Sequence, residues 1–304
     1  MIRPLTDNLL VTEFLEGILG EDSDIIKSKT VSKISAAELT IKGFDLDNNT
    51  LNSRKYRDPN FSTDRDRRKL RDQIVEELSN MKRLSDDNDI VLGEGGALPL
   101  TTVKKESQAY IVTGLPASGK SGIANKIADS FGAALLDSDY AKRKLPEFED
   151  FNAGASIIHK ESGAIIFGSA TFNSTSFETL LDKFSVDNTN IVVPKIGDSV
   201  EELLSLKKKL NEFGYEVHLT LVSLDRKKAT ERAIKRFEST GRYVPLSRIY
   251  DVYANEPILS YYRIKTFHEH EFKSVGKISN DVEVGMPPRF IACNNISNPA
   301  YLYK

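Results

Sequence analysis

One cysteine, Cys293, is all the sequence holds, so no internal disulfide can form, and nothing around that thiol marks a nucleophile; a reducing compartment fits best. Long hydrophobic runs are missing as well. No stretch approaches the roughly eighteen apolar residues of a membrane span, and "MIRPLTDNLL" lacks the apolar region of a secretory signal, so neither a membrane nor a signal-directed route is expected. The expected place of work is a cytosol, of its own cell or of a host. Charge of one sign is scarce: 42 Lys and Arg oppose 44 Asp and Glu for a net charge of −2, which gives no overall basic field to favour nucleic acid. Repeats and low-complexity tracts are absent. What remains is a globular composition, 39% apolar and 28% charged over 304 residues, enough for one large domain or two ordinary ones.

Against this background "YIVTGLPASGKSGIANKIA", residues 110–128, stands out. Gly114, Gly119, Lys120 and Ser121 meet the pattern G-x-x-x-x-G-K-[ST], with an apolar strand (Ile111, Val112) before it and a helical period (Ile123, Ile127) after it. Glycines let a backbone turn tightly and aim successive N–H groups at one point, where the following helix adds its positive end. The cradle expected for a nucleoside triphosphate is Gly114 with Ala117, Ser118, Gly119, Lys120, Ser121 and Gly122. Lys120 reaches the β- and γ-phosphates in this reading, and the Ser121 hydroxyl ligates Mg²⁺, so ATP and Mg²⁺ are the expected cofactors.

The chain changes character near residue 95. Before it lie short mixed segments and a charge-dense run, "DRDRRKLRDQIVEELSNMKRL", whose Leu70, Ile74 and Leu78 recur every four residues on one helical face, with the alternating charges expected in solvent. "GEGGALP", Gly93 to Pro99, reads as a linker. Residues 1–95 are thus expected as an extension, mixed and mostly helical, and 96–304 as the main domain. In the latter, strand and helix signals alternate as in a parallel sheet flanked by helices. "AYIVTG", "AALLDSD", "NIVVP" and "YEVHLTLVSL" are the expected strands. "SIIHKESGAIIFGSATFNSTSFETLLDKF" is expected to be mostly helical, and so are "DSVEELLSLKKKLNEFG", capped by Asp198 or Ser199, and "DRKKATERAIKRFESTGR".

In open α/β sheets ligands gather at the carboxyl ends of strands. Asp137 and Asp139 follow "ALL", and strand alternation would send both to one side. One can serve as a base for an attacking hydroxyl, the other as a helix cap or Mg²⁺ contact. Arg232 and Arg236 lie four apart on one helical face, opposite Ala229, Ala233 and Phe237, and Arg242 follows Gly241; several arginines suit the spread negative charge of a transferring phosphoryl group.

Taken in order, "FSTDRDRRKLRDQIVEEL", "GLPASGKS", "LLDSDYAKRKLPEF", "HKES", "GYEVHLTLVSLDRKKATERAIKRFESTGRYVP" and "ISNDVEVGMPPRFI" resemble the zeta-toxin group of P-loop kinases over about four fifths of the chain. The resemblance implies an α/β P-loop kinase that phosphorylates UDP-N-acetylglucosamine, or NAD as in related bacterial effectors. It implies Asp139 as the base acting on a sugar hydroxyl and Glu161 as a residue that helps hold the substrate; Asp137 and Lys195 are the other residues expected on the substrate side. Lys120 and Ser121 fall on the ATP side, and Arg232 or Arg236 with Arg242 around the phosphates. Many relatives carry a Glu-Gly-Thr turn after the third strand; here "VVPKIG" places Pro194 and Lys195, and a lysine suits an anionic, pyrophosphate-linked ligand. The expected partners are that nucleotide-linked small molecule and a small antitoxin or chaperone-like protein. A regulatory ATPase module and a degenerate structural relative are the competing readings. Part of residues 1–60 either supports the kinase or restrains it.

Overall fold

Branched, apolar stretches closed by glycine or aspartate do alternate with capped helices after residue 95. This computed structural model describes residues 3–21, 23, 25–42, 49–150, 154–168, 177–283 and 285–304. In chain order the elements are α1 (Asn8–Leu19), α2 (Ser28–Lys42), α3 (Asp64–Asn80), β1 (Gln108–Thr113), α4 (Lys120–Phe131), β2 (Ala134–Leu135), α5 (Ser138–Arg143), α6 (Glu147–Asp150), α7 (Gly154–Ile157), α8 (His159–Phe167) and α9 (Leu180–Val186). β3 (Ile191–Lys195), α10 (Val200–Glu212), β4 (Glu216–Ser223), α11 (Arg226–Thr240), α12 (Glu256–Phe267), β5 (Ser274–Ser279) and β6 (Arg289–Cys293) follow. The sheet is mostly parallel, in the order β2-β3-β1-β4-β5-β6, with β6 antiparallel to β5 at one edge. Among the described residues no helix is long and apolar enough to cross a membrane.

Four strands were expected, and six are found among the described residues. β5 and β6 escape the sequence pattern because "SVGKIS" mixes Gly, Lys and Ser, and its buried place follows from its neighbours in the sheet rather than from strand-forming side chains. The helix ends agree better with local chemistry. Ser199, not Asp198, caps α10 through the Glu202 N–H; Asp225 caps α11, and Gly241, at φ +72°, closes it. The long helical stretch expected over residues 156–184 is instead broken into α7, α8 and α9, with residues 169–176 outside the described ones.

Two compact units interleave along the chain. Met1–Leu39, Ala109–Ala124 and Pro194–Lys304 form one; Thr40–Gln108 and Asn125–Val193 form the other. A boundary near residue 95 coincides with neither, and the reason lies in the first unit's core. Val11, Phe14, Leu15 and Ile18 of α1 and Val31 and Ile34 of α2 are buried in one cluster with Leu115, Leu224, Ala229, Ala233, Ile234, Leu246 and Ile249, and Ala117 packs against it. Asp7 starts α1 by accepting the Leu10 N–H at 2.9 Å, and the spacing of its four buried residues fixes the packed face. Thr30 donates to Glu238, and Tyr243 donates to Glu38 at 2.5 Å. Six buried apolar side chains from α1 and α2 contribute on the order of 10 kcal/mol of burial before the entropy of ordering them is subtracted. Removing residues 1–39 would uncover the apolar side of α11 and the outer side of the loop at Leu115. The expected result is a lowered melting temperature and lowered solubility, with no tightening of Mg-ATP affinity; a clear gain in affinity in calorimetry would show restraint instead.

The second unit revises two expectations. Far from a loose linker, Gly93–Pro99 is bonded into place: Gly96 N–H donates to Lys82 O at 2.9 Å, Ala97 N–H to Leu78 O at 2.9 Å, and Leu135 N–H to Ala97 O at 2.8 Å. A Cβ on Gly96 would sit 2.1 Å from the Met81 carbonyl oxygen, so this glycine serves a close backbone approach. α3 buries Leu70, Ile74 and Leu78 as its period requires, but it buries charge too: Arg67, Arg71 and Glu77 lie on the inner face. Charged residues with buried partners leave no trace in the pattern of one helix.

Candidate active site

Strand β1 is buried from Ala109 to Thr113 and delivers Gly114 to the sheet's end. Gly114 has φ +153°, and a Cβ there would lie 2.5 Å from the Val222 carbonyl oxygen of β4, so only glycine lets the chain turn beside that strand. Ala117 (φ +60°) and Gly119 (φ +84°) adopt left-handed conformations, which turn consecutive N–H groups into an anion-binding concavity. Ser118 is buried, and its hydroxyl has no hydrogen-bond partner among the described residues. Lys120 folds back over the loop, its Nζ donating to Gly114 O at 2.6 Å and Leu115 O at 2.7 Å. Ser121 and Gly122 are exposed in the first turn of α4, where helical N–H groups lack intrahelical acceptors. The strained cradle, the lysine across it and the open hydroxyl beside it fit a polyphosphate with a divalent cation.

Hydrogen bonds to backbone carbonyls connect the neighbourhoods of Lys195 and Arg232 to that loop. Lys195, half-buried, ends β3, and the next carbonyl, Ile196 O, accepts the Gly114 N–H at 3.0 Å. Arg232 spends Nη2 on two carbonyls, Asn280 O at 3.1 Å and Val282 O at 2.9 Å, and so fastens the segment after β5 to α11. Arg236 is half-buried on the same helix, and Arg242 is half-buried just past the Gly241 cap. Between α11 and that segment runs an open groove of about 990 Å³, with Lys228, Arg232 and Lys235 on one side and Met286, Pro288 and Phe290 on the other. Glu231, Asp281 and Glu283 line the same groove, and Lys228 is paired with Asp281, so charge of both signs borders its apolar floor.

The second unit carries the candidate base. β2 ends at Leu135, so Asp137 and Asp139 are not paired by strand alternation, contrary to the expectation. Asp137 is the N-cap of α5, its Oδ1 accepting the Asp139 N–H at 2.9 Å. Asp139 sits in the first turn with 39% of its side chain exposed, and its Oδ1 accepts from Lys142 Nζ at 2.8 Å. Burial first, and then the Asp139 charge, push the Asp137 carboxyl up to about 6. Asp87, unmarked in the sequence, accepts from Tyr140 OH at 2.7 Å and from Asn125 Nδ2 at 3.2 Å, and adds to the negative field around Asp137. Capping occupies one carboxylate. Asp139 is the one left open to solvent.

Glu161 is placed differently from the substrate-holding role implied for it. Its side chain is fully buried; Oε1 accepts from Arg67 Nε at 2.7 Å and Arg71 Nε at 2.6 Å, and Oε2 from Arg67 Nη2 at 2.7 Å. The same Arg67 donates to Glu147 at 2.7 and 3.1 Å. Two guanidiniums and two carboxylates thus neutralise one another, joining α3, α6 and α8. Burial alone would raise the Glu161 carboxyl, but the bonds to Arg67 and the charge of Arg71 outweigh it and hold it at about 2. A folded value below the unfolded one stabilises the protein above pH ~4.5, and that stabilisation is lost as pH falls towards 2. Glu161→Gln is expected to cost about 3 kcal/mol near pH 7, less towards pH 2, with Mg-ATP affinity unchanged, measured by denaturant unfolding at several pH values. A fall in nucleotide or acceptor binding without loss of stability would restore a ligand role.

A glycine-dependent nucleotide loop at the end of a strand in a mostly parallel sheet marks the P-loop class. The family model for zeta toxin matches residues 97–265, more than half of the chain, and the protein belongs to the zeta toxin family; it is an ATP-dependent kinase. No curated protein sequence matches the chain. Among solved structures, the toxin of the PezAT chromosomal toxin–antitoxin system of Streptococcus pneumoniae is similar at a TM-score of 0.52 and 14% identity, over 82% of this chain and 89% of that one, which shows the fold. An AvrRxo1-ORF1:-ORF2 complex is similar at a TM-score of 0.46 and 18% identity, over 75% and 67% of the two chains. A gluconokinase from Sinorhizobium meliloti reaches 0.33 and 16%, over 59% and 86%.

Proposed function

We propose that the protein transfers the γ-phosphate of Mg-ATP to a hydroxyl of a nucleotide-linked small molecule such as UDP-N-acetylglucosamine, and acts in a cytosol as a toxin or effector. The observation that carries this reading is the division of labour between neighbouring carboxylates: Asp137 is committed to a helix cap, and Asp139 is exposed beside Lys142. Asp139 takes the acceptor's proton, and Lys142 holds that carboxylate in place. On the nucleotide side, the loop from Gly114 to Gly122 binds the phosphates, Lys120 meets the β- and γ-oxygens, and the Ser121 hydroxyl holds Mg²⁺, which when bound neutralises charge on those oxygens. Arg236 and Arg242 face the transferring group, while Arg232 shapes the nucleoside groove. Lys195 meets the anionic linkage of the acceptor, a feature that UDP-N-acetylglucosamine shares with NAD. Residues 96–304 carry the kinase motifs, and part of residues 1–60 supports them. A small antitoxin is the proposed partner, in keeping with the toxin–antitoxin system to which the similar pneumococcal protein belongs.

The test is to incubate the protein with γ-labelled ATP and a metabolite extract, then identify the labelled product. A phosphorylated nucleotide sugar supports the proposal, and phosphorylated NAD would replace the acceptor within the same chemistry. ATP turnover that no acceptor stimulates would favour a regulatory ATPase instead.

A further inference from the structure

We propose that Asn280, at the end of β5, is a positioning residue that sets the phosphate loop from outside its motif. Its backbone N–H donates to Ser223 O at 2.9 Å, which ties it to the end of β4. Its own carbonyl accepts from Arg232 of α11 at 3.1 Å. With the main chain held at both points, the side chain is aimed: Nδ2 donates to the Ser118 carbonyl at 2.7 Å. It lies so close to the loop that a Cβ on Gly119 would come within 2.3 Å of Nδ2.

The consequence follows from the geometry of a peptide group. In a planar trans peptide the C=O and the N–H point in opposite directions. Drawing the Ser118 carbonyl towards β5 therefore turns the Gly119 N–H the other way, away from Asn280. That N–H belongs to the run beginning at left-handed Ala117, which collects donors for an anion. Without the tether, the peptide between Ser118 and Gly119 is free to rotate, since glycine tolerates both orientations. One donor would then be lost from the cradle in part of the population. Arg232 extends the same link to the groove, because it also holds Val282 O at 2.9 Å and lines the groove wall. The grip on the phosphates and the wall of the nucleoside groove thus share one anchor.

This inference rests on the reading of Gly114–Ser121 as a nucleotide site, and calorimetry with Mg-ADP separates the two. The wild-type protein is expected to bind Mg-ADP. Asn280→Ala should weaken that binding about tenfold. Asn280→Asp should weaken it at least as much, because a carboxylate of the same shape cannot donate to Ser118 O and brings negative charge to an anion site. That order is the decisive readout. A residue that merely fills space would be replaced well by Asp and poorly by Ala, and this order would overturn the proposal, as would wild-type affinity in both variants. If the wild-type protein itself does not bind Mg-ADP, the nucleotide reading fails and the inference with it. Melting temperatures without nucleotide should differ by only a few degrees, and if Asn280→Ala does not fold, the isosteric Asp variant decides alone.

Discussion

Lys120→Ala should lower phosphoryl transfer by at least about two orders of magnitude, with little change in the folded state. In the structure the Lys120 amine rests on two carbonyls of its own loop, Gly114 O and Leu115 O, so it already lies across the cradle. Neutral carbonyl oxygens are weaker acceptors than phosphate oxygens. The amine is therefore expected to exchange one or both for the β- and γ-oxygens of ATP and to strengthen that contact as charge moves during transfer. Alanine removes the charge and its two bonds to the loop, while the positive φ values of the turn belong to Gly114, Ala117 and Gly119, which are unchanged in the variant. The rate constant should fall more than nucleotide affinity does, because an interaction that strengthens in the transition state is lost mainly from the rate. Activity within tenfold of wild type, measured with the acceptor that the labelling experiment identifies, would remove Lys120 from the chemistry and the ATP assignment with it.

Features set by neighbours in sequence were legible before the structure, and features set by distant contacts were not. The phosphate loop could be read because its glycines answer local demands: Gly114 and Gly119 take positive φ within the same eight residues that name the motif. The caps at Ser199 and Asp225 and the four-residue spacing of Leu70, Ile74 and Leu78 are local in the same sense. Arg67 is the opposite case. Its partners Glu147 and Glu161 lie 80 and 94 positions away, and a helix dense in charge gives no sign of which charge is buried. Asn280, 162 positions from Ser118, has no signal in the sequence beyond its place in "ISND". Gly96 misled for a related reason: a glycine that allows a close approach and one that loosens a linker look alike until the Met81 backbone is seen against it. Asp137 and Asp139 are legible as a pair, but their relation is not, because β2 stops one residue before the apolar run does.

That relation carries the second large effect: Asp139→Asn should retain Mg-ATP binding and lose transfer by about two to four orders of magnitude. The amide fills the same space in the first turn of α5, and its oxygen can still accept from Lys142, so the helix and its cap remain. What it cannot do is take a proton. Asp137→Asn should be much milder, because asparagine caps a helix as well as aspartate does. The Asp137 carboxyl, raised by burial and by its neighbour's charge to about 6 in the folded protein, disfavours the folded state progressively between pH ~4 and ~6 and fully above that window. Asp137→Asn should thus be more stable than wild type at pH 8, by about 1–2 kcal/mol after allowance for its partial exposure, and no more stable at pH 4. Activity should show the same group from the other side. The wild-type rate should therefore change as Asp137 ionises near pH ~6 beside Asp139, and that step should be absent from the asparagine variant. If Asp137→Asn abolishes transfer while Asp139→Asn keeps it, the cap and the base have been exchanged, and the exposed carboxylate beside Lys142 is only part of the surface.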